Sequence, residues 1–400
     1  MLFIHHTVSL CDHCYRHIPA IVYEDQGQIL MRKRCDHHGE MTSVVELDPE
    51  FYYSLSTTGT LATQDSVLVD VTDRCQLKCP HCYHLPDNAR EDKSTQEILD
   101  QLRKFPRTAS IELAGAEATL RSNFADFCSQ VKDLNFQSFS VLTNGVALSS
   151  RRLAKRYYDA GLHGLQLGLN HHSYQGKKVH NQQLAGLANA VEIGYTINYV
   201  GYTLESLDDL PEVLIEIHKL ATRYKINEFR IRCGSFIGRS SDSQRSYLSV
   251  LIKRAQSILG NKLLIDRSRW FANPYKLAAT WNNTNLRFIQ WPDVTNIDME
   301  ELATGPWAQF YDGAATNFVH NVITRDAYTN NKMPKLDLVP QRYQYMKPDT
   351  PMPYWKENWT GPEEFSKFEY QWVSDVPKSV PQYQPVVFTS THPLAIDSVV

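Results

Sequence analysis

The sequence predicts an α/β chain in which a partial (β/α)6, TIM-like barrel stands between a small N-terminal metal-bound module and an irregular C-terminal extension. Three observations predict it. Six short strand-like runs, the first apolar and β-branched, alternate with helical patterns between residues 67 and 234, as consecutive βα units on a parallel sheet do. Six of the eight cysteines fall into two tight groups, as metal sites require. The last 67 residues hold ten of the nineteen prolines, too many for much regular structure. The expected units are a metal-binding module over 1–60, the barrel over 61–260, and an aromatic- and proline-rich cap or arm over 261–400.

In the first unit, Cys11 and Cys14 form a C-x2-C knuckle, and Cys35 with His38 forms a C-x2-H knuckle. Between them, alternating Ile21, Tyr23, Ile29 and Met31 flank a turn at Asp25-Gln26-Gly27, which reads as a hairpin. Two knuckles joined by a hairpin describe a zinc-ribbon or rubredoxin-like module with zinc or iron on three cysteines and one histidine. His38 has the matching spacing, although His37 is adjacent. So small a unit needs its metal to fold.

Strands are expected near 67–72, 109–113, 138–143, 164–169, 195–202 and 227–233. One intervening helix opens with the capping box Ser94-Thr95-Gln96-Glu97, and another follows Ser122. On the second, Phe124, Phe127, Cys128, Val131 and Leu134 share one face, which makes Cys128 a core thiol. Cys233, offset by one residue from its neighbours' alternation, reads as structural. Strands in such folds present the active site at their carboxyl ends.

The first strand, Val67 to Val71, runs into Cys75, Cys79 and Cys82, spaced C-x3-C-x2-C. Three thiolates on one loop hold a metal centre and leave a position open. A cubane iron–sulfur cluster fits that description, and a mononuclear zinc completed by His81 or His84 is the alternative. The loop resembles the signature of the radical S-adenosylmethionine (radical SAM) superfamily. That resemblance implies a [4Fe-4S] cluster on Cys75, Cys79 and Cys82 whose open iron binds SAM, reductive cleavage of SAM to a 5′-deoxyadenosyl radical, and hydrogen abstraction from a substrate. His81 stands where the superfamily places an aromatic residue whose backbone meets the adenine.

Further matches follow the later strands. Gly115-Ala116-Glu117-Ala118 resembles the superfamily's GGEP-type segment, in which small residues admit the methionine part of SAM and the acidic residue faces its ammonium; alanines replace the second glycine and the proline. Thr143-Asn144-Gly145 resembles its TNG turn, with Asn144 near the ribose or carboxylate. Asn170 ends the fourth strand where many relatives have aspartate. Arg230 and Arg232 share one face of the sixth strand; facing inward, Arg232 could meet the SAM carboxylate or a substrate anion, and facing outward the pair is solvated. The tandem of a C-x2-C…C-x2-H-G segment and this barrel, over roughly residues 7–240, resembles the branch of archaeal tetraether lipid synthase and the class D radical SAM methylases. It lacks the extra cysteines that carry auxiliary clusters in many of those proteins.

Composition bounds the function classes. At 400 residues with 42% hydrophobic and 21% charged, the chain can bury a sizeable core. A net charge of −3 offers no field for nucleic acid, and Arg151, Arg152, Lys155 and Arg156 read as the solvated face of one helix. MLFIHHTVSLC lacks a basic leader, and no stretch reaches membrane-spanning length. A cytoplasmic protein with reduced cysteines is expected. Ser246 to Leu259 reads as an amphipathic helix ending at Gly260. All seven tryptophans lie at or after Trp270; Arg287 to Pro292 and Gly305 to Trp307 suggest a cap over the barrel mouth.

The resulting expectation is a radical SAM enzyme acting on a small molecule or lipid by methylation, carbon–carbon coupling or rearrangement. Its cofactors would be a [4Fe-4S] cluster, SAM and one structural zinc or iron, and its electrons would come from a flavodoxin-, ferredoxin- or reductase-type donor. Radical modification of a peptide or nucleobase is the second reading. A non-catalytic metal-bound scaffold, suggested by Ala116 and Ala118, is the third.

Overall fold

A computed structural model describes residues 1–13, 17–55, 66–82, 86–89, 91–92, 94–103, 107–233, 246–266, 276–290, 295–296, 298, 308–311 and 314–317. The N-terminal unit is an antiparallel meander of β1 (Leu2–Leu10), β2 (His17–Asp25), β3 (Gln28–Cys35) and β4 (Gly39–Glu46) in the order β1-β2-β3-β4. The hairpin forms where expected, with Asp25 opposite Gln28 across a two-residue turn. Ala20, Val22, Ile29 and Met31 are buried with Val45 and with Tyr52 of α1 (Pro49–Leu55).

The second sheet carries the barrel. Its six parallel strands are β5 (Ser66–Asp70), β6 (Ser110–Ala114), β7 (Ser138–Thr143), β8 (Gly164–Leu169), β9 (Thr196–Leu204) and β10 (Glu228–Cys233), neighbours in chain order. The helices between them are α2 (Thr95–Leu102), α3 (Phe124–Lys132), α4 (Arg151–Asp159), α5 (His172–Ile193) and α6 (Leu210–Tyr224). This is the sequential βα arrangement expected of a partial barrel. At α2 the capping box closes reciprocally: Ser94 N–H donates to Glu97 and Glu97 N–H to Ser94 Oγ.

The sheet continues beyond β10, which differs from the expected boundary. After α7 (Leu248–Leu259), strands β11 (Leu263–Asp266), β12 (Lys276–Trp281) and β13 (Thr284–Ile289) extend one edge, with β13 parallel to β10 and β12 antiparallel to β13. Residues 263–266 and 276–289 thus belong to strands and a turn of this sheet. Two short strands, β14 (Ala308–Tyr311) and β15 (Ala314–Asn317), extend the other edge beside β5. Trp291, Gly305 to Trp307 and the proline-rich arm lie outside the described residues.

Each strand has two unlike faces. Phe229, Ile231 and Cys233 of β10 pack with Leu210, Val213 and Ile217 of α6, Leu251 of α7 and Phe288 of β13. Ile111 and Leu113 of β6 and Val141 of β7 pack with Phe127, Cys128 and Val131 of α3. The helices thus cover one face, and alternation puts Arg230, Arg232, Glu228, Gln166 and Tyr199 on the other. Buried Glu46 joins the units by accepting the Ser249 N–H of α7 at 3.3 Å. Among the described residues, no helix is long and apolar enough to cross a membrane.

Candidate functional site

Cys75, Cys79 and Cys82 follow β5 as half-buried cysteines outside any disulfide. The loop is stiffened by its own backbone: Leu77 N–H donates to Cys75 Sγ at 3.3 Å, Cys82 N–H to the Cys79 carbonyl, and Cys75 N–H to Asn88 Oδ1. Two amides from neighbouring strand ends reach the sulfurs. Asn170 Nδ2 lies 3.3 Å from Cys79 Sγ, and Asn144 Nδ2 lies 3.9 Å from Cys75 Sγ. Burial pushes the Cys75 thiol up to about 12, with Glu117, Cys79 and Cys82 adding to the rise. Three thiolates on one loop need a bound cation to offset their charge, and N–H donors aimed at sulfur suit a cluster. The donor set therefore fits a [4Fe-4S] cluster.

The segment after β6 fixes the geometry beside this loop. Gly115 adopts φ +131°, and a Cβ there would stand 2.3 Å from the Thr72 carbonyl oxygen. Only glycine lets the two backbones come this close. Ala116 N–H donates to that same oxygen at 3.0 Å. Glu117 is buried: one carboxylate oxygen accepts from Thr119 N–H and from the hydroxyls of Thr119 and Thr143, and the other accepts the Asn144 N–H at 2.7 Å. Burial pushes the carboxyl up, opposed by these hydrogen bonds. Glu117 was expected to face a ligand's ammonium; in the structure it also ties the β6 loop to the Asn144 turn.

The structure brings together Cys75, Cys79, Gly115, Glu117, Asn144 and Asn170. His81 lies 3.4 Å from Glu205 by Nδ1, yet that atom makes no hydrogen bond among the described residues; its ring packs edge-on against Tyr174. Arg232 stands two strands away from Asn170, on β10, facing away from the helices.

Two residues without a sequence motif support the site from α5. Gln183 is fully buried and donates to the carbonyls of Asn144 (2.8 Å) and Gly168 (3.0 Å), stapling the ends of β7 and β8. His180 Nδ1 meets the Asn170 carbonyl and Nε2 meets Glu216, both at 2.8 Å. Both partners are acceptors, so only the imidazolium satisfies both contacts. Glu216 hydrogen bonding accordingly raises the His180 pKa.

In the N-terminal unit, Cys11 Sγ and Cys35 Sγ stand 3.5 and 3.4 Å from His38 Nδ1. The three ligand atoms lie within 4.8 Å of one another, the span of a tetrahedral ion. His38 is thus the histidine placed at the thiols. Cys14 lies outside the described residues.

Comparison with known proteins agrees with this geometry. Residues 3–46 match the family described as the HMPTM N-terminal zinc ribbon domain, and residues 69–217 match the radical SAM superfamily. The chain carries a radical SAM domain behind an N-terminal zinc ribbon domain. Among curated proteins it is similar to the 7,8-dihydro-6-hydroxymethylpterin dimethyltransferase of Methanocaldococcus jannaschii, 27% identical over 226 residues. That match spans 47% of this chain and 45% of the relative, so less than half of the relative's length is represented. Among solved structures, Streptococcus suis SuiB bound to S-adenosylmethionine aligns with a TM-score of 0.42 at 12% identity, over 76% of each chain. His6-tagged anSMEcpe with bound AdoMet aligns with a TM-score of 0.38 at 11% identity, over 78% of this chain and 98% of that one.

Proposed function

We propose that the chain is a radical SAM enzyme that transfers a methyl group to, or otherwise remodels, an unactivated carbon of a small-molecule substrate. The observation that carries this reading is the convergence of Asn170 and Asn144 on the sulfurs of Cys79 and Cys75. The similarity to a pterin dimethyltransferase favours methyl transfer, and a compact heterocycle such as a pterin as the substrate class.

Cys75, Cys79 and Cys82 would hold the [4Fe-4S] cluster. When bound, the cluster would supply the electron for reductive cleavage of SAM, the chemistry that opens an unactivated C–H bond to reaction. The chain's own residues bind and position. Gly115 and Ala116, with nothing larger than a methyl group, would leave room for the methionine part of SAM. Glu117 holds the Asn144 turn and adds negative charge toward a cationic ligand. Asn144, Asn170 and the backbone at His81 line the remaining cofactor contacts. Electrons come from a flavodoxin-, ferredoxin- or reductase-type donor, and the N-terminal ribbon holds one structural zinc or iron on Cys11, Cys14, Cys35 and His38.

The test is anaerobic. Protein reconstituted with iron and sulfide is mixed with SAM and a strong reductant, and 5′-deoxyadenosine is quantified. Its formation, abolished in Cys79→Ala, supports the reading. A fully assembled cluster that neither binds nor cleaves SAM overturns it.

A further inference from the structure

The barrel face at the β10–β13–β12 end of the sheet gathers basic side chains. On β10, Arg230 and Arg232 alternate with Phe229, Ile231 and Cys233, which pack into the helix-side core, so both guanidinium groups lie on the opposite face. Arg287 of β13 pairs with Arg230 in register, and Lys276 of β12 lies opposite Ile289, the residue level with Arg232. Four basic side chains from three adjacent strands therefore share one region. Glu228 is already committed there, accepting from Arg230 Nε and Arg287 Nη2, each at 2.8 Å.

Arg232 is differently placed from the other two arginines. Its Nε is buried and has no hydrogen-bond partner among the described residues. A buried N–H of a charged group left without an acceptor is costly, so such an atom marks where an acceptor belongs. The neighbouring strand makes room for the side chain: a Cβ at Gly201 would stand 3.0 Å from Arg232 Nη1. Beside it, the Arg230 guanidinium stacks 3.5 Å above the Tyr199 ring, which fixes its plane. Burial, and then Arg230, Arg287 and Arg232, push the Lys276 ammonium well below its ordinary range, with Glu228 opposing. Glu228 and Glu112 offset the field at Arg230, and the orphaned Arg232 N–H is where a further acceptor would sit.

We propose that Arg232, with Lys276 and Arg230 around it, forms an anion-binding subsite for a carboxylate or phosphate group on the substrate. The inference rests on the reading of the barrel as the substrate-binding unit. The register places the subsite at a useful depth. Leu169 pairs with Tyr202, and Thr203, the next residue of β9, pairs with Arg232. Asn170, which reaches Cys79 Sγ, therefore stands at the level of Arg232, two strands or about 10 Å across the sheet. A substrate anchored at Arg232 by its anion spans that gap and presents a carbon near the cysteine loop.

The test is calorimetric titration of the reconstituted protein with inorganic phosphate and, separately, with succinate, each with and without saturating SAM. Saturable binding of phosphate, of succinate, or of both supports the subsite, and whichever binds names the anion. Arg232→Gln should weaken that binding at least about tenfold, the loss of one charge-assisted contact, and leave SAM affinity within about twofold. Arg232→Lys, which keeps the charge and loses the planar fork, should fall between, and it serves in place of Arg232→Gln if thermal melting shows that variant unfolded. Arg151→Gln, on the exposed face of α4, should change nothing. Two results overturn the proposal: no saturable binding of either anion to the folded wild type, or competition of the anion with SAM together with an equal loss of SAM affinity in the Arg232 variants, which would assign the guanidinium to the SAM carboxylate. Failure of SAM cleavage with anion binding intact sinks the proposed reaction and leaves the subsite standing.

Discussion

The backbone N–H of Asn144 donates to the buried carboxylate of Glu117 at 2.7 Å, which locks the turn after β7 onto the loop after β6. Asn144 in turn reaches Cys75 Sγ, so the carboxylate sets where an amide meets the cysteine loop. Glu117→Gln keeps the volume and replaces one acceptor oxygen by a donor. A charge-assisted hydrogen bond is lost, and the expected cost is about 1.5–3 kcal/mol of stability, with SAM affinity down roughly 10- to 100-fold. Chemical denaturation and equilibrium dialysis with SAM measure the two effects. Unchanged affinity in the folded variant would remove Glu117 from the cofactor site.

Gly115 and Gly176 separate steric clash from backbone strain. Both have positive φ, but a Cβ at Gly115 would strike the Thr72 carbonyl at 2.3 Å, whereas nothing lies within 4 Å of one at Gly176. Gly176→Ala should cost about 1–3 kcal/mol from backbone strain alone, because φ 79°, ψ 156° is a region essentially reserved for glycine. Gly115→Ala should cost about 3 kcal/mol or more, because backbone has to move. The two thermal melts, run side by side, check the ordering; equal shifts would mean that the β5–β6 loop gives way freely.

The metal of the N-terminal ribbon is predicted to be one zinc or iron per chain, in addition to the cluster iron. Cys35→Ser or His38→Ala should release it and loosen the β1–β4 meander, since so small a sheet is held by its metal. Cys128→Ser, in the α3 core, should leave the metal content unchanged. Elemental analysis after gel filtration, read beside far-ultraviolet circular dichroism, decides; a folded His38→Ala variant retaining its metal would move the ligand to another residue.

The barrel was legible because short strand-like runs alternate with helical periods, and because C-x3-C-x2-C and C-x2-C…C-x2-H are spacings chemistry restricts. Spacing favoured His38 over the adjacent His37 without deciding between them, and His38 Nδ1 stands beside the Cys11 and Cys35 sulfurs. The strands at 263–266, 276–281 and 284–289 were not legible: they are held by β13 pairing with β10 and by β12 and β11 pairing outward from it, long-range contacts no local pattern reports. Alternation put Arg230 and Arg232 on one face but could not say which; that is decided by α6 and α7 packing on Phe229, Ile231 and Cys233. Gln183 and His180 carry no motif. Each acts through a single side chain on a helix that touches the strand ends from behind, so only the fold brings them to Asn144 and Asn170.

His180 gives the stability a defined pH dependence. Its Nε2 faces Glu216 and its Nδ1 the Asn170 carbonyl, and the Glu216 contact is the main cause that raises its folded pKa above the ordinary 6.5. A raised pKa means the folded state holds the proton more tightly. The stabilisation is fully present below about 6.5 and is lost as pH rises through the folded value. Glu216, whose pKa is lowered from 4.5 by His180 and Tyr202 against its own burial, gives the opposite limb: its contribution is present above 4.5 and is lost as pH falls through the folded value. Wild type should therefore exceed His180→Gln most strongly between these limits, and the gap should narrow on the alkaline side. Urea midpoints of the two proteins across that range check this. A gap that stays constant through the alkaline limb would mean that the imidazole is neutral in the fold and that one of its two contacts is not a hydrogen bond.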